Sequence, residues 1–302
     1  MKKSIGFLLL AVALVNVSPA HSQQAWTGVL SDSRCGASHR DITSAGTLTD
    51  RQCIFECIKA LAKYVLVDAG NQAIPIANQD VAGFPLYVGR PVRLLGELRG
   101  NAIHVSKIEA IAAHLHLGHV MTNWRDTPSG VGFLIAAAAD ANVAAVHAKL
   151  AASGSLEDMK LHAGHVLHAL DPAVEPKGPA SGYGVKKATA GALQHLELAV
   201  QSEGATPNIK THAAHVSTSL NNVVQWTDRA IAAARQIRLS TTTAEAAGLV
   251  ADVIALTNGI SQGADANKDG QVGWQADEGG LQQAQTHMKL MMDGEGLASA
   301  PR

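Results

Sequence analysis

Aromatic residues are scarce: four Phe, four Trp and three Tyr in 302 residues. Strand-built folds draw on aromatic and β-branched side chains, so a large β-sandwich is a poor fit. Charge is scarce as well, at 16% of residues, with 24 Lys plus Arg against 25 Asp plus Glu and a net charge of −1. A nucleic-acid binder carries a basic stripe, and this balance offers none. No phosphate-cradling G-x-x-x-x-G-K-[ST] string and no G-x-S-x-G nucleophile string occurs, so no residue is assigned a catalytic role. C-x-x-C-H is missing too, which excludes covalently attached c-type haem. What is present is alanine, which makes up much of the 47% hydrophobic content and suits close-packed helices, and 14 histidines.

The N-terminus reads as a targeting segment. Lys2 and Lys3 precede an apolar run, Ile5 to Val15, that is too short to span a bilayer. Ala20 and Ser22 then supply small residues for cleavage, so residues 1–22 read as a secretory signal peptide, with an uncleaved anchor as the alternative. No other stretch reads as transmembrane. The expected mature protein is soluble and secreted or periplasmic, where disulfides are permitted.

Residues 23–110 read as a small strand-rich domain. Short β-type runs begin at Trp26, Tyr64, Ala73, Val92 and Ala102, and Arg99-Gly100-Asn101 makes a hairpin turn between the last two. One helix is expected over 51–63. Five short strands with one helix suggest a small Greek-key barrel that resembles an OB-fold in outline. All three cysteines lie here. Cys53 and Cys57 share a helical face, where a disulfide between them would be strained. Two readings stand: a disulfide from Cys35 to one of them, or a Cys35, His39, Cys53, Cys57 set with ligand types suited to zinc or copper.

Residues 111–302 read as a His-rich, up-and-down helical bundle, which makes the whole chain α+β and mainly α. Helices are expected over 114–124, 131–153, 156–170, 184–202, 207–238, 243–262 and 278–292. Ser155 with Asp158 and Thr242 with Glu245 form capping boxes, and Thr206-Pro207 marks a third start. An internal repeat runs through this region. The pairs His116/His119, His162/His165 and His212/His215 are each followed by Val. Gly-rich loops at 129–132 and 181–184 lead into helices with single histidines, His147 and His195, and His287 is placed to complete the third unit.

Positions i and i+3 lie about 60° apart on a helix, so each pair aims one way. The expectation is that His162, His165, His212 and His215 face one interior space, with His147 and His195 beside them. The pattern is similar to ferritin-like bundles but replaces their carboxylates with imidazoles. That departure weighs against di-iron chemistry and favours zinc, copper, nickel or haem iron. Met121, Met159, Met288, Met291 and Met292 are further thioether candidates, though a helical methionine is more often core filling. Duplication alone would also repeat histidines, on solvated faces and without a ligand role.

Asp265-Ala-Asn267-Lys-Asp269-Gly270-Gln271-Val272 resembles the start of an EF-hand calcium loop, a local likeness over residues 249–292. The resemblance implies calcium ligands at Asp265, Asn267, Asp269 and the Gln271 carbonyl. Position 12 is Ala276 where the family has a bidentate Glu; Glu278 supplies that carboxylate if the loop, 265–278, is longer. The combined expectation is an exported calcium-binding protein whose His-rich bundle takes a transition metal or haem. The alternatives are a metal-dependent or redox enzyme using the His cluster, and a non-catalytic interaction module whose histidines sense pH.

Overall fold

The structure, a computed structural model, describes residues 23–39 and 48–297. The expected signal peptide and its cleavage site lie outside the described residues.

In the first region the chain runs β1 (Gln24–Asp32), α1 (Asp50–Lys59), β2 (Tyr64–Val67), β3 (Ala73–Pro75), α2 (Phe84–Tyr87), β4 (Pro91–Arg99) and β5 (Ala102–Ala110). The strands form one antiparallel sheet in the order β3-β2-β1-β4-β5. Alternation sets its buried face: Val92 and Leu94 on β4 and Ile103 and Val105 on β5 point inward. Leu30, Ile54, Leu66 and Phe84 complete this core. The sheet is open where a closed barrel was expected. Just past β3, Ile76 makes an isolated parallel bridge to Ile103 on β5, outside the ladders of the sheet. The reason is local: β3 is three residues long and ends on Pro75, which has no N–H to extend a ladder. Helix α1 stops at Lys59, short of the expected 63, because Leu61 takes a left-handed φ of 67°.

The second region holds α3 (Ala112–Met121), α4 (Phe133–Ala151), α5 (Leu156–Leu170), α6 (Val185–Gln201), α7 (Pro207–Leu239), α8 (Thr243–Gln262) and α9 (Leu281–Gly294). The starts of α5, α7 and α8 fall where the capping chemistry puts them. Ser155 and Thr242 accept from the backbone N–H three residues on, each within a full capping box, and Thr206 caps α7 ahead of Pro207. These helices share a second core, separate from that of the sheet.

Alanine lets the helix axes approach: α4 buries Ala136, Ala137, Ala141, Ala144, Ala148 and Ala151. Helix α4 is also long and apolar enough, by length and composition alone, to cross a membrane. Of its most apolar stretch, 44% is buried inside the protein. Asp140, buried on α4, accepts from the Ser181 N–H, the Ser181 hydroxyl at 2.7 Å and the Gly184 N–H at 2.9 Å. It thereby fixes the Gly-rich loop that launches α6. Gly184 sits there at φ 87°, where a Cβ would also strike the Pro172 ring.

Candidate metal centres

Helix pairing decides which histidines meet. Helix α3 packs on α6, α4 on α5, and α7 on α9. Each contact brings one H-x-x-H pair against one single histidine, giving three triads whose ligand atoms lie within 4.8 Å of one another.

In the first triad, His116 and His119 meet His195. The His195 Nδ1 is 2.9 Å from His116 Nδ1 and 3.3 Å from His119 Nδ1. In the second, His147 Nδ1 is 3.0 Å from His162 Nδ1 and 3.3 Å from His165 Nδ1. In the third, His287 Nδ1 is 3.1 Å from His212 Nδ1 and 3.4 Å from His215 Nδ1. The geometry repeats closely: the same ring nitrogen converges each time, and the leading member of each pair is always the nearer.

Hydrogen bonding does not account for this arrangement. A ring nitrogen carries either one proton or one in-plane lone pair, so a single Nδ1 cannot serve two partners well. An ion removes the conflict, because three lone pairs can point at one centre. Imidazole nitrogens about 2.0–2.1 Å from a tetrahedral metal sit roughly 3.3–3.4 Å apart, close to the separations here.

Burial disfavours the charged form of seven of these rings and so favours the neutral form that ligates. It pushes the imidazolium pKa of His116, His119, His147, His165, His215 and His287 below the ordinary value. His195, the most enclosed, is lowered to about 4, by burial first and then by His119 and His116.

Two triads carry a tryptophan lid. Trp124 lies 4.7 Å from His119 and 4.8 Å from His195, centroid to centroid, and Phe133 stacks on His195 at 5.4 Å. Trp274 stacks on His215 at 4.0 Å with its plane tilted by 19°. Among the described residues, the second triad has no such ring.

This corrects the expectation of one interior space. His162/His165 and His212/His215 belong to separate triads, and His195 joins the first repeat's pair instead of its own. The first two units exchange their single histidines: His195 goes to the α3 pair, and His147 goes to the α5 pair. The third unit is self-contained, through His287. His116, His119 and His287 therefore stand as candidate ligands beside the six read from sequence. The repeat itself carried the signal for all three.

In the sheet domain, Cys35, Cys53 and Cys57 are unbridged and lie together. Asp32, Cys35 and His39 form an adjoining set.

In the 265–278 loop, Asp265 accepts from the Asp269 and Gly270 N–H groups, and Asp269 accepts from the Gln271 N–H. Asn267 accepts from the Asp269 N–H at 2.8 Å. Gly270 takes φ 86°, the sharp-turn conformation. Glu278 is buried and accepts from the Gly273 N–H at 3.0 Å, so it points back into the loop. The loop is anchored to α7 by Asn222, which donates to the Gln275 and Gly279 carbonyls and accepts from the Asp277 N–H.

Comparison with protein-family models, curated proteins and solved structures finds no match.

Proposed function

We propose that this chain is an exported transition-metal-binding protein that holds ions in three equivalent imidazole sites. The observation that carries the reading is the threefold recurrence of one geometry, with three Nδ1 atoms converging at the pairing of two helices. All-nitrogen donors suit zinc and copper. Three nitrogens aimed at one point fit a single ion better than haem, which presents its iron within a flat macrocycle and takes axial ligands from opposite faces. Repetition of one ligand set three times favours binding or carriage over a single catalytic centre.

Metal analysis of the purified protein after exposure to zinc or copper(II) tests this. About three equivalents should bind to the triads. His147→Ala, His195→Ala and His287→Ala should each remove one. A protein that takes up neither ion sinks the proposal.

A second reading rests on the ligand count. Three protein ligands leave a fourth position for water, as catalytic zinc sites do. Zinc-dependent ester hydrolysis or CO2 hydration, lost in His147→Ala, would favour it, since the second triad lacks a tryptophan lid.

The calcium proposal stands beside these. Asp265, Asn267, Asp269, Gln271 and Glu278 are its ligands, and the inward turn of Glu278 supports it. Calorimetry with millimolar calcium should detect binding that Asp265→Ala with Asp269→Ala removes. No heat from the unmutated protein rejects it.

A further inference from the structure

The sheet domain carries donors of a different chemistry. Strand β1 ends at Asp32, the following turn carries Cys35, and α1 presents Cys53 and Cys57 one turn apart on its buried side. The Cys35 Sγ lies 3.9 Å from Cys53 Sγ and 3.7 Å from Cys57 Sγ, and all three sulfurs fall within 4.8 Å of one another. Sulfurs bound about 2.3 Å from a tetrahedral ion sit roughly 3.8 Å apart. The trio is thus spaced for a shared ion.

An independent observation points the same way. Asp32 is fully buried; its Oδ1 accepts from the Arg34 and Cys35 N–H groups, while Oδ2 has no hydrogen-bond partner among the described residues. His39, with 6% of its side chain exposed, makes no hydrogen bond through Nδ1 among the described residues; that nitrogen lies 3.7 Å from the Asp32 oxygen, an ion-pair distance only when the ring is protonated. Its Nε2 is 3.0 Å from the Ser31 hydroxyl. Buried polar atoms left unpaired are costly, and these two lie with Cys35 in one ligand-spaced set. A cation beside them relieves that cost.

We infer that Cys35, Cys53 and Cys57 form a thiolate site for one thiophilic d10 cation, Cu(I) or Zn(II), chemically separate from the imidazole triads. Sulfur donors select these ions. Cu(I) is complete with three sulfurs. Zinc takes a fourth ligand, and His39 is the nitrogen at hand. Each thiol gives up its proton to solvent as its sulfur binds, and no electron moves.

The test uses the full chain, reduced and kept anaerobic, with Cu(I) alone and Co(II) alone as probes, cobalt standing in for zinc. Thiolate ligation gives a sulfur-to-metal charge-transfer band that imidazole ligation does not, so the result is independent of the triads. With either ion added past the capacity of the triads, the band should saturate at one ion per thiolate site and all three thiols should be shielded from alkylation. Cys35→Ser should abolish the band. Cys35 is the least buried of the three, and circular dichroism checks that the variant folds; if it does not, alkylation protection in the unmutated protein decides. His39→Ala should weaken Co(II) at least tenfold if zinc is the ion, and leave Cu(I) unaffected if copper is. A reduced protein that yields no band with either ion overturns the inference. So does a protein isolated with one free thiol and a disulfide that persists when metal is offered under mild reductant.

Discussion

Tryptophan makes two of the triads optically distinct from the third. Trp124 and Trp274 touch ligand rings, whereas Trp226 is packed in the helical core. Paramagnetic copper(II) quenches an adjacent indole, and zinc does not. Titration with copper(II) should therefore quench part of the emission, while zinc leaves most of it. Trp274→Phe should remove the part that reports the third triad without changing the number of ions bound. Copper(II) binding at full stoichiometry with no quenching would contradict the placement of these lids. At the same scale, the three-residue spacing of each pair follows from sequence, and so does its helical setting. The lids do not, because Trp124 and Trp274 come from loops whose path depends on what they pack against.

Elements set the precision of the sites. The Phe133 ring stacks on His195 only because Gly191 leaves room: a Cβ there would meet Phe133 Cε1 at 2.4 Å. Gly191→Ala should cost about 1–3 kcal/mol by overpacking. It should also weaken metal at the first triad while the second and third hold theirs. Urea unfolding with site-resolved metal titration checks both parts; equal weakening at all three triads would argue against this local linkage. Asp140 acts on the same element from its other end. Asp140→Ala leaves the Ser181 and Gly184 donors without their acceptor, a loss of about 2–4 kcal/mol for charge-assisted bonds broken in a buried site. Denaturation midpoints of the metal-free variant measure it. The starts of α5, α7 and α8 were legible from capping residues, and the strands from short β-type runs. The short β3, which leaves the sheet open, was not: Ile76 continues the apolar run in sequence, but it bridges to β5 and leaves the β2 ladder.

Across the whole molecule, the triads link stability to metal and to pH. Ions that bind only the folded chain stabilise it by about 2.7 kcal/mol per site at a hundredfold excess over the dissociation constant. Chelation should therefore lower the melting temperature by several degrees, and zinc should restore it. The pH dependence of the metal-free protein has a definite sign. Burial lowers the histidine pKa values in the folded state, so the unfolded chain takes up protons first as pH falls. The stability tied to neutral rings is complete above about pH 6.5, the ordinary histidine value, and is lost as pH drops toward the folded-state values. For His195 that value is about 4. The metal-free melting temperature should fall between pH 7.5 and 5, and ions should be released over the same range. A melting temperature unchanged across it would mean the rings are not held neutral by burial.

Sequence alone determined the division into a strand-rich and a helical region, most helix limits, the threefold repeat and the residue types at each site. Those properties are local: caps, periodicity and i, i+3 spacing act within one element. Tertiary structure decided which single histidine completes which pair. The choice depends on α3 packing against α6 and α4 against α5, and close alanine faces on neighbouring helices govern such contacts. A repeat read along the chain suggests that each unit keeps its own histidine. The fold exchanges them between the first two units, because ligands meet across helix contacts and those contacts do not follow chain order.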